Sequence, residues 1–409
     1  MGSGASKGKR YQESHQYGEL YLQTDKTTYQ PGETVTGTIY LDITSQYPGH
    51  QLFLKLKGRE IVHFLKKHGS GKNWHYTEYS ETKEVIKQNT LVYSWDASVP
   101  QGQFTIPFSF LLPSHLPASF YQHEYKLLAF IEYQLEAFLE PPHADCPKMK
   151  YKQPITIREA PLANNGDLKL EVTTPLKSCC CCNQGSNVLK AEFEKKFYSP
   201  EEEVKATVEL DNSNSKMNHK KLYIVLIQKL ELKAQGETVT ENMFKRSSEK
   251  NNYSPSTNKI YSESFTLPIP KYLSEFDYKL EFNKYGKRDE VLRKHFGGFS
   301  LYNFLTPPTK GSLISSTFSL KVYSQMDGIE ATLPELECPV SILIPDSPSP
   351  MGVTAPSNWR PVIIDRINVA FSSEHQNQHT EGNVMEIQGM PGSIASTNQV
   401  RLGTPLGYN

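Results

Sequence analysis

Lys26-Thr27-Thr28-Tyr29-Gln30-Pro31-Gly32-Glu33-Thr34-Val35-Thr36-Gly37-Thr38-Ile39-Tyr40-Leu41-Asp42 aligns without a gap on Lys195-Lys196-Phe197-Tyr198-Ser199-Pro200-Glu201-Glu202-Glu203-Val204-Lys205-Ala206-Thr207-Val208-Glu209-Leu210-Asp211, with eight identities that include a Tyr-x-Pro-x-Glu-x-Val core. The copies stand 169 positions apart. Solenoid units repeat at roughly 20 to 50 residues, so the duplicated unit is a whole domain. Each copy reads as strand, turn, strand. Val35, Gly37, Ile39 and Leu41 alternate with Thr34, Thr36, Thr38 and Tyr40, as do Val204, Ala206, Val208 and Leu210 with their polar neighbours. A period of two with one polar face marks half-buried strands of antiparallel sheets. Pro31-Gly32 fits a type II turn with glycine at positive φ, whereas Glu201 in the glycine position predicts a type I turn in the second copy.

Working outward, residues 51–57, 104–113, 221–232, 262–267, 312–323 and 339–345 also read as strands. Residues 125–139 are densely apolar, and Phe130, Ile131 and Tyr133 favour strand over helix there. Helical periodicity is nearly absent, the exception being residues 287–294. The predicted fold class is all-β, as two tandem immunoglobulin-like β-sandwich domains with disordered termini. The expected division is a small, polar and basic N-terminus over 1–15, a first sandwich over 16–160, a linker over 161–167, a second sandwich over 168–345 and a polar tail over 346–409. That tail is rich in Pro, Ser, Asn, Gln and Gly, with one apolar island at 361–364.

Composition narrows the function. The chain has 409 residues, with 44 Lys+Arg against 44 Asp+Glu, so its charge balance points to no nucleic-acid partner. No apolar run approaches the ~18 residues of a membrane span, and no secretory signal peptide is expected. The six cysteines are Cys146, Cys338 and the consecutive Cys179, Cys180, Cys181 and Cys182, a pattern unlike a disulfide framework that suits a reducing compartment.

The segments Tyr29-Gln30-Pro31-Gly32-Glu33-Thr34-Val35-Thr36-Gly37 and Pro107-Phe108-Ser109-Phe110-Leu111-Leu112-Pro113-Ser114-His115-Leu116-Pro117-Ala118-Ser119-Phe120 resemble the opening hairpin and a later strand of arrestin N-domains, in particular the α-arrestin (arrestin-domain-containing) branch. Tyr133-Gln134-Leu135-Glu136-Ala137 resembles the strand that follows. Tyr198-Ser199-Pro200-Glu201-Glu202-Glu203-Val204, Leu210-Asp211-Asn212-Ser213-Asn214-Ser215, the segment 305–314 and Leu343-Ile344-Pro345 are similar to parts of the arrestin C-domain. The resemblance spans about residues 17–345. It implies the arrestin fold and a non-enzymatic cytosolic adaptor, without cofactor, that binds cytoplasmic segments of membrane proteins and links them to trafficking machinery, peripheral at the plasma membrane or endosomes. Many α-arrestins carry Pro-Pro-x-Tyr motifs for ubiquitin ligases. Pro141-Pro142 and Pro307-Pro308 are not followed by Tyr at that spacing, and Ile269-Pro270-Lys271-Tyr272 is a degenerate near-miss, so this docking route is not expected. The segment 276–304 is longer than the family pattern.

Three groups of residues carry candidate chemistry. Met1-Gly2-Ser3-Gly4-Ala5-Ser6 fits the N-myristoylation pattern on Gly2, the competing reading being an ordinary start or an expression-tag scar. One acyl chain holds a membrane only marginally, and Lys7, Lys9 and Arg10 would add attraction to an anionic leaflet. Cys179, Cys180, Cys181 and Cys182 rank first as inert or buried thiols, second as S-acylation sites and last as metal ligands, because adjacent cysteines on a strand suit a tetrahedral site poorly. Lys66, Lys67 and Lys72, with His63, His68 and His75, read as a solvated loop between strands or as a surface for phosphate or anionic lipid. Gly69-Ser70-Gly71-Lys72 lacks the first glycine and final Ser/Thr of a phosphate loop. No Gly-x-Ser-x-Gly, His-Glu-x-x-His or Cys/His constellation points to an enzyme. The competing function is a lipid-anchored structural scaffold of a membrane or cytoskeletal assembly.

Overall fold

The computed structural model of the chain describes residues 15–124, 127–159, 168–178, 182–250, 260–270, 272–275, 302–304, 307–326, 334–343 and 357–370. Among them there is no helix. The first domain contains β1 (Gly18–Thr24), β2 (Thr28–Tyr29), β3 (Thr34–Ile43), β4 (Gln51–Ser70), β5 (Asn73–Ser94), β6 (Gly102–Leu111), β7 (Phe120–Glu124), β8 (Leu127–Leu139) and β9 (Lys150–Ile157). One sheet runs β1-β3-β6 and the facing sheet runs β2-β9-β8-β4-β5, with β7 also on β8. The second domain contains β10 (Lys169–Ser178), β11 (Cys182–Phe193), β12 (Phe197–Tyr198), β13 (Glu203–Asp211), β14 (His219–Ala234), β15 (Glu237–Lys250), β16 (Ile260–Pro268), β17 (Tyr272–Glu275), β18 (Tyr302–Phe304), β19 (Thr309–Lys310), β20 (Ile314–Met326) and β21 (Glu335–Ile342). Its sheets run β10-β11-β13-β16 and β12-β21-β20-β14-β15, with β19 on β20 and a separate β17-β18 pair.

The larger sheets of the two domains thus share one strand order, down to the parallel β2-β9 and β12-β21 pairs. The duplicated phrase is the visible part of this duplication. In β3, Val35, Ile39, Leu41 and Ile43 face inward and their neighbours are half-exposed, and β13 repeats the pattern with Val204, Val208 and Leu210. Burial of these apolar faces between the paired sheets is the main stabilising term.

The repeated turn is built alike in both copies. Glu33 donates its amide to the Gln30 carbonyl at 3.0 Å, while its carboxylate accepts the Gln30 amide at 2.9 Å and pairs with Lys26. In the second copy the Glu202 amide reaches the Ser199 carbonyl at 3.2 Å, and its carboxylate accepts the Ser199 amide at 2.7 Å and pairs with Lys195 at 3.0 Å. The Ser199 amide, with Lys195 behind it, holds the Glu202 carboxyl below its ordinary range. Tyr29 and Tyr198 are buried beside these turns, and burial pushes the Tyr198 hydroxyl up to about 12.

Here one expectation is corrected. Glu201 takes φ 70°, matching the 78° of Gly32, so both copies form the same left-handed turn and the second is not type I. The Glu202 bonds and the Glu201 amide on the Ile269 carbonyl, at 3.0 Å, impose the conformation and offset the ~1–2 kcal/mol a side chain costs there.

Strands 51–57 and 125–139 of the sequence reading fall in β4 and β8, but β4 extends much further, to Ser70. Residues 287–294, most of the long segment 276–304 and the linker 161–167 lie outside the described residues.

Candidate interaction surfaces

The first functional feature is the junction between the domains. Along β4, Leu52, Leu54, Leu56, Gly58, Glu60, Val62 and Phe64 share the buried face. Glu60 therefore brings a carboxylate to a position the alternation reserves for apolar side chains, and it is 1% exposed. A buried carboxylate needs hydrogen-bond donors. The second domain supplies them: the amides of Ser312 and Leu313 donate to Glu60 at 2.9 and 2.5 Å. A Cβ on Gly311 would overlap the same carboxylate, so the close approach requires glycine here. Around it, Gln228 of β14 donates to Gln122 of β7 at 3.2 Å and to Ser316 at 3.1 Å, all three fully or almost fully buried. Thr309 donates to the Ala118 carbonyl at 3.0 Å and the Lys310 amide to the Glu159 carboxylate at 3.0 Å. Leu230, Leu232, Ala234, Leu313 and Ile314 of the second domain belong to the same apolar cluster as Val62, Phe64 and Leu127 of the first. Tyr133 donates to the Pro117 carbonyl at 2.7 Å nearby, and burial raises its hydroxyl well above the ordinary range.

The second feature is the β4–β5 hairpin. The sequence placed Lys66, Lys67, His68 and His75 in a loop. They lie instead in paired strands that continue to a two-residue Gly71-Lys72 turn, because Gly71 at φ 60° supplies the left-handed residue such a turn requires. Lys66 is turned to the second domain: its ammonium pairs with Glu237 at 2.5 Å and donates to the Thr238 carbonyl at 3.3 Å. Two further bonds join the hairpins, from the Gln235 amide to Glu81 at 2.7 Å and from its side chain to the Ser80 carbonyl at 3.2 Å. Beyond this contact the strands lose their buried face and the hairpin projects. Lys67 stands over the Trp74 ring at 4.9 Å, Trp74 meets Tyr76 edge-on at 5.3 Å, and His68 stacks on His75 across the strands.

The third feature lies in the span read as a polar tail. Two short strands lie there instead. Val362–Ile363 (β22) and Ile367–Val369 (β23) pair in parallel with β6 and widen the first domain's sheet. β-Branched residues and an open strand edge account for the docking. Val369 enters the first domain's core, Ser109 donates to Asn368 at 2.6 Å, and the Arg360 amide donates to Gln103 at 2.6 Å. Leu91, Leu111, Val362 and Ile363 stay exposed.

Gly2, Lys7, Lys9, Arg10, Cys179, Cys180 and Cys181 lie outside the described residues. Cys182, opposite Ser178 at the start of β11, is exposed, while Cys146 and Cys338 are buried. Among the described residues no group of His, Cys, Asp and Glu is placed to hold a metal, and no helix is long and apolar enough to cross a membrane. The sequence reading missed Glu60, Gln122 and Gln228. The signal was available for two of them, as polar residues standing in the inward register of otherwise apolar strands.

Residues 18–160 match the arrestin (or S-antigen) N-terminal domain and residues 183–347 the arrestin (or S-antigen) C-terminal domain. The chain is similar to arrestin domain-containing protein A of Dictyostelium discoideum, 26% identical over 227 residues covering 52% of this chain and 38% of that protein. It is similar to arrestin domain-containing protein 17 of Caenorhabditis elegans, 26% identical with 48% of each chain covered. It is also similar to arrestin domain-containing protein 5 of Homo sapiens, 24% identical with 48% of this chain and 57% of that one covered. The chain thus spans 38% to 57% of the length of these curated relatives. With both domains matched in order and carried on duplicated sandwiches, the chain belongs to the arrestin family, in its arrestin-domain-containing (α-arrestin) branch.

Proposed function

We propose that this protein is a non-enzymatic adaptor that binds cytoplasmic segments of membrane proteins and directs their trafficking, including endocytosis. The observation that carries the reading is the arrestin domain pair in N-to-C order, joined across a buried polar junction centred on Glu60. A two-domain body of this kind offers extended surface and strand edges, and peptide recognition by strand edges needs no catalytic group. The protein works in the cytoplasm, peripheral to the plasma membrane or endosomes. A myristoyl group on Gly2 contributes to attachment, with Lys7, Lys9 and Arg10 as the second, electrostatic signal that a single chain needs. Exposed Cys182, with its three neighbours, is a secondary S-acylation site.

Proximity labelling in living cells with the full chain tests the reading. Enrichment of integral membrane proteins and trafficking factors supports it. A labelled set confined to cytoskeletal or other static structural proteins favours the lipid-anchored scaffold instead. For the anchor, Gly2→Ala is expected to move the protein into the soluble fraction, and equal partitioning of variant and wild type rules the acyl chain out.

A further inference from the structure

We infer that the projecting tip of the β4–β5 hairpin is a membrane-contact site that inserts Trp74 and Tyr76 into the interface of an anionic lipid surface. The sequence from 66 to 77 holds Lys66, Lys67, Lys72, His68 and His75 and no Asp or Glu. Two flanking acidic groups each have a partner: exposed Glu78 lies 3.3 Å from the His63 ring and Glu237 pairs with Lys66 at 2.5 Å. With Lys66 committed to the second domain, Lys67 and Lys72 are the cations the tip presents outward.

The aromatic residues set this tip apart from an ordinary solvated turn. Trp74 is 48% exposed and Tyr76 36%, among the few exposed large apolar side chains of the described residues. They are not loose. The Lys67–Trp74 and Trp74–Tyr76 contacts hold them on a braced hairpin, so ordering them on a surface costs little further entropy. Trp and Tyr have an apolar body and a polar edge, which suits the headgroup layer of a bilayer, and lysine stems lie along apolar surface while their ammonium reaches the phosphates.

The shape decides between a lipid surface and a phosphorylated peptide. A peptide phosphate is captured in a concavity or a nest of converging amides. This tip is a two-residue turn at the end of a projecting hairpin and so is convex, and a Cβ added at Gly71 would meet no atom within 4 Å. A convex, cationic, aromatic apex fits a plane of anionic headgroups.

Lipid contact of this kind requires no protein cargo, so it is tested without any. Full-length protein carrying Gly2→Ala, hence free of the acyl chain, is mixed with vesicles of phosphatidylcholine plus phosphatidylserine, and with phosphatidylcholine alone. Binding is read by sedimentation and by tryptophan emission. The expected result is binding to the anionic vesicles only, weakened by salt, with a blue shift that Trp74→Phe abolishes. Lys67→Ala with Lys72→Ala should weaken binding about thirtyfold, at ~1 kcal/mol per lysine. Trp74→Ala should weaken it about tenfold. All of these residues are exposed at the tip, and unchanged unfolding transitions confirm that the variants fold.

No binding to anionic vesicles at low salt overturns the inference, as does wild-type sedimentation of these variants. Capture of a phosphopeptide in solution through Lys67 and Lys72, without vesicle binding, also overturns it and assigns the tip to a phosphorylated protein. None of these results bears on cargo binding, which proximity labelling reads separately.

Discussion

Glu60 accepts the Leu313 backbone amide at 2.5 Å across the boundary between the two domains. A first-domain strand thereby supplies the acceptor that a second-domain turn requires, and the Ser312 amide donates to the same carboxylate.

Removing that acceptor leaves buried donors without a partner. Glu60→Ala is expected to destabilise the protein by about 3 kcal/mol, and Glu60→Gln, which keeps one oxygen, by about half that. Gly311→Ala should cost about 1–3 kcal/mol through overlap with the carboxylate. Denaturant unfolding of the three variants measures this. Wild-type stability in Glu60→Ala would show that the junction does not depend on the carboxylate.

The two copies of the repeated turn predict opposite responses. Glu201→Gly relieves a left-handed side chain and should stabilise by about 1 kcal/mol, whereas Gly32→Ala introduces the same strain and should destabilise by about that amount. Thermal unfolding of both variants gives the signs.

His219 predicts a pH dependence. It is buried against the Tyr261 ring, at the strand position opposite Met326, and burial lowers its imidazole to about 4. The unfolded chain binds this proton near the ordinary histidine value of about 6.5, so the unfolded state holds more protons between the two values. The neutral-imidazole contribution is therefore full above about 6.5 and is lost as pH falls toward 4. Stability measured from pH 7 down to 4 should fall, and His219→Gln should flatten that part of the curve. A variant whose profile matches wild type would remove His219 as the cause.

The added strands β22 and β23 predict a structural role for a segment whose composition reads as tail. Val369→Asp puts a charge at a core position beside β6 and should destabilise the first domain by about 2 kcal/mol or more. Val369→Ile should be nearly neutral. Hydrogen exchange at Phe108 and Phe110 should accelerate in the Asp variant.

Much of this architecture was legible from residue patterns, and the exceptions have physical causes. Val35, Ile39, Val204 and Val208 announce their strands because each face has a single environment, so period two survives in the letters. Glu60 and Gln228 obey the same period but are polar, and their meaning depends on donors contributed by the other domain, which no local pattern records. Glu201 misled because turn chemistry is local, while its φ is imposed by Ile269 and the Glu202 bonds. The β22–β23 segment was hidden by its polar surroundings, since its partner strand lies more than 250 residues earlier. Lys66 and Lys67 looked equivalent in sequence, yet one faces the second domain and the other a tryptophan.

The adaptor reading meets its most direct test in the surface proteome of cells that lack the protein, measured by cell-surface biotinylation and compared with cells in which the wild-type chain is restored. The account predicts that a defined set of integral membrane proteins accumulates at the surface in its absence and returns to normal on restoration. An unchanged surface proteome, with unchanged internalisation rates, would contradict it.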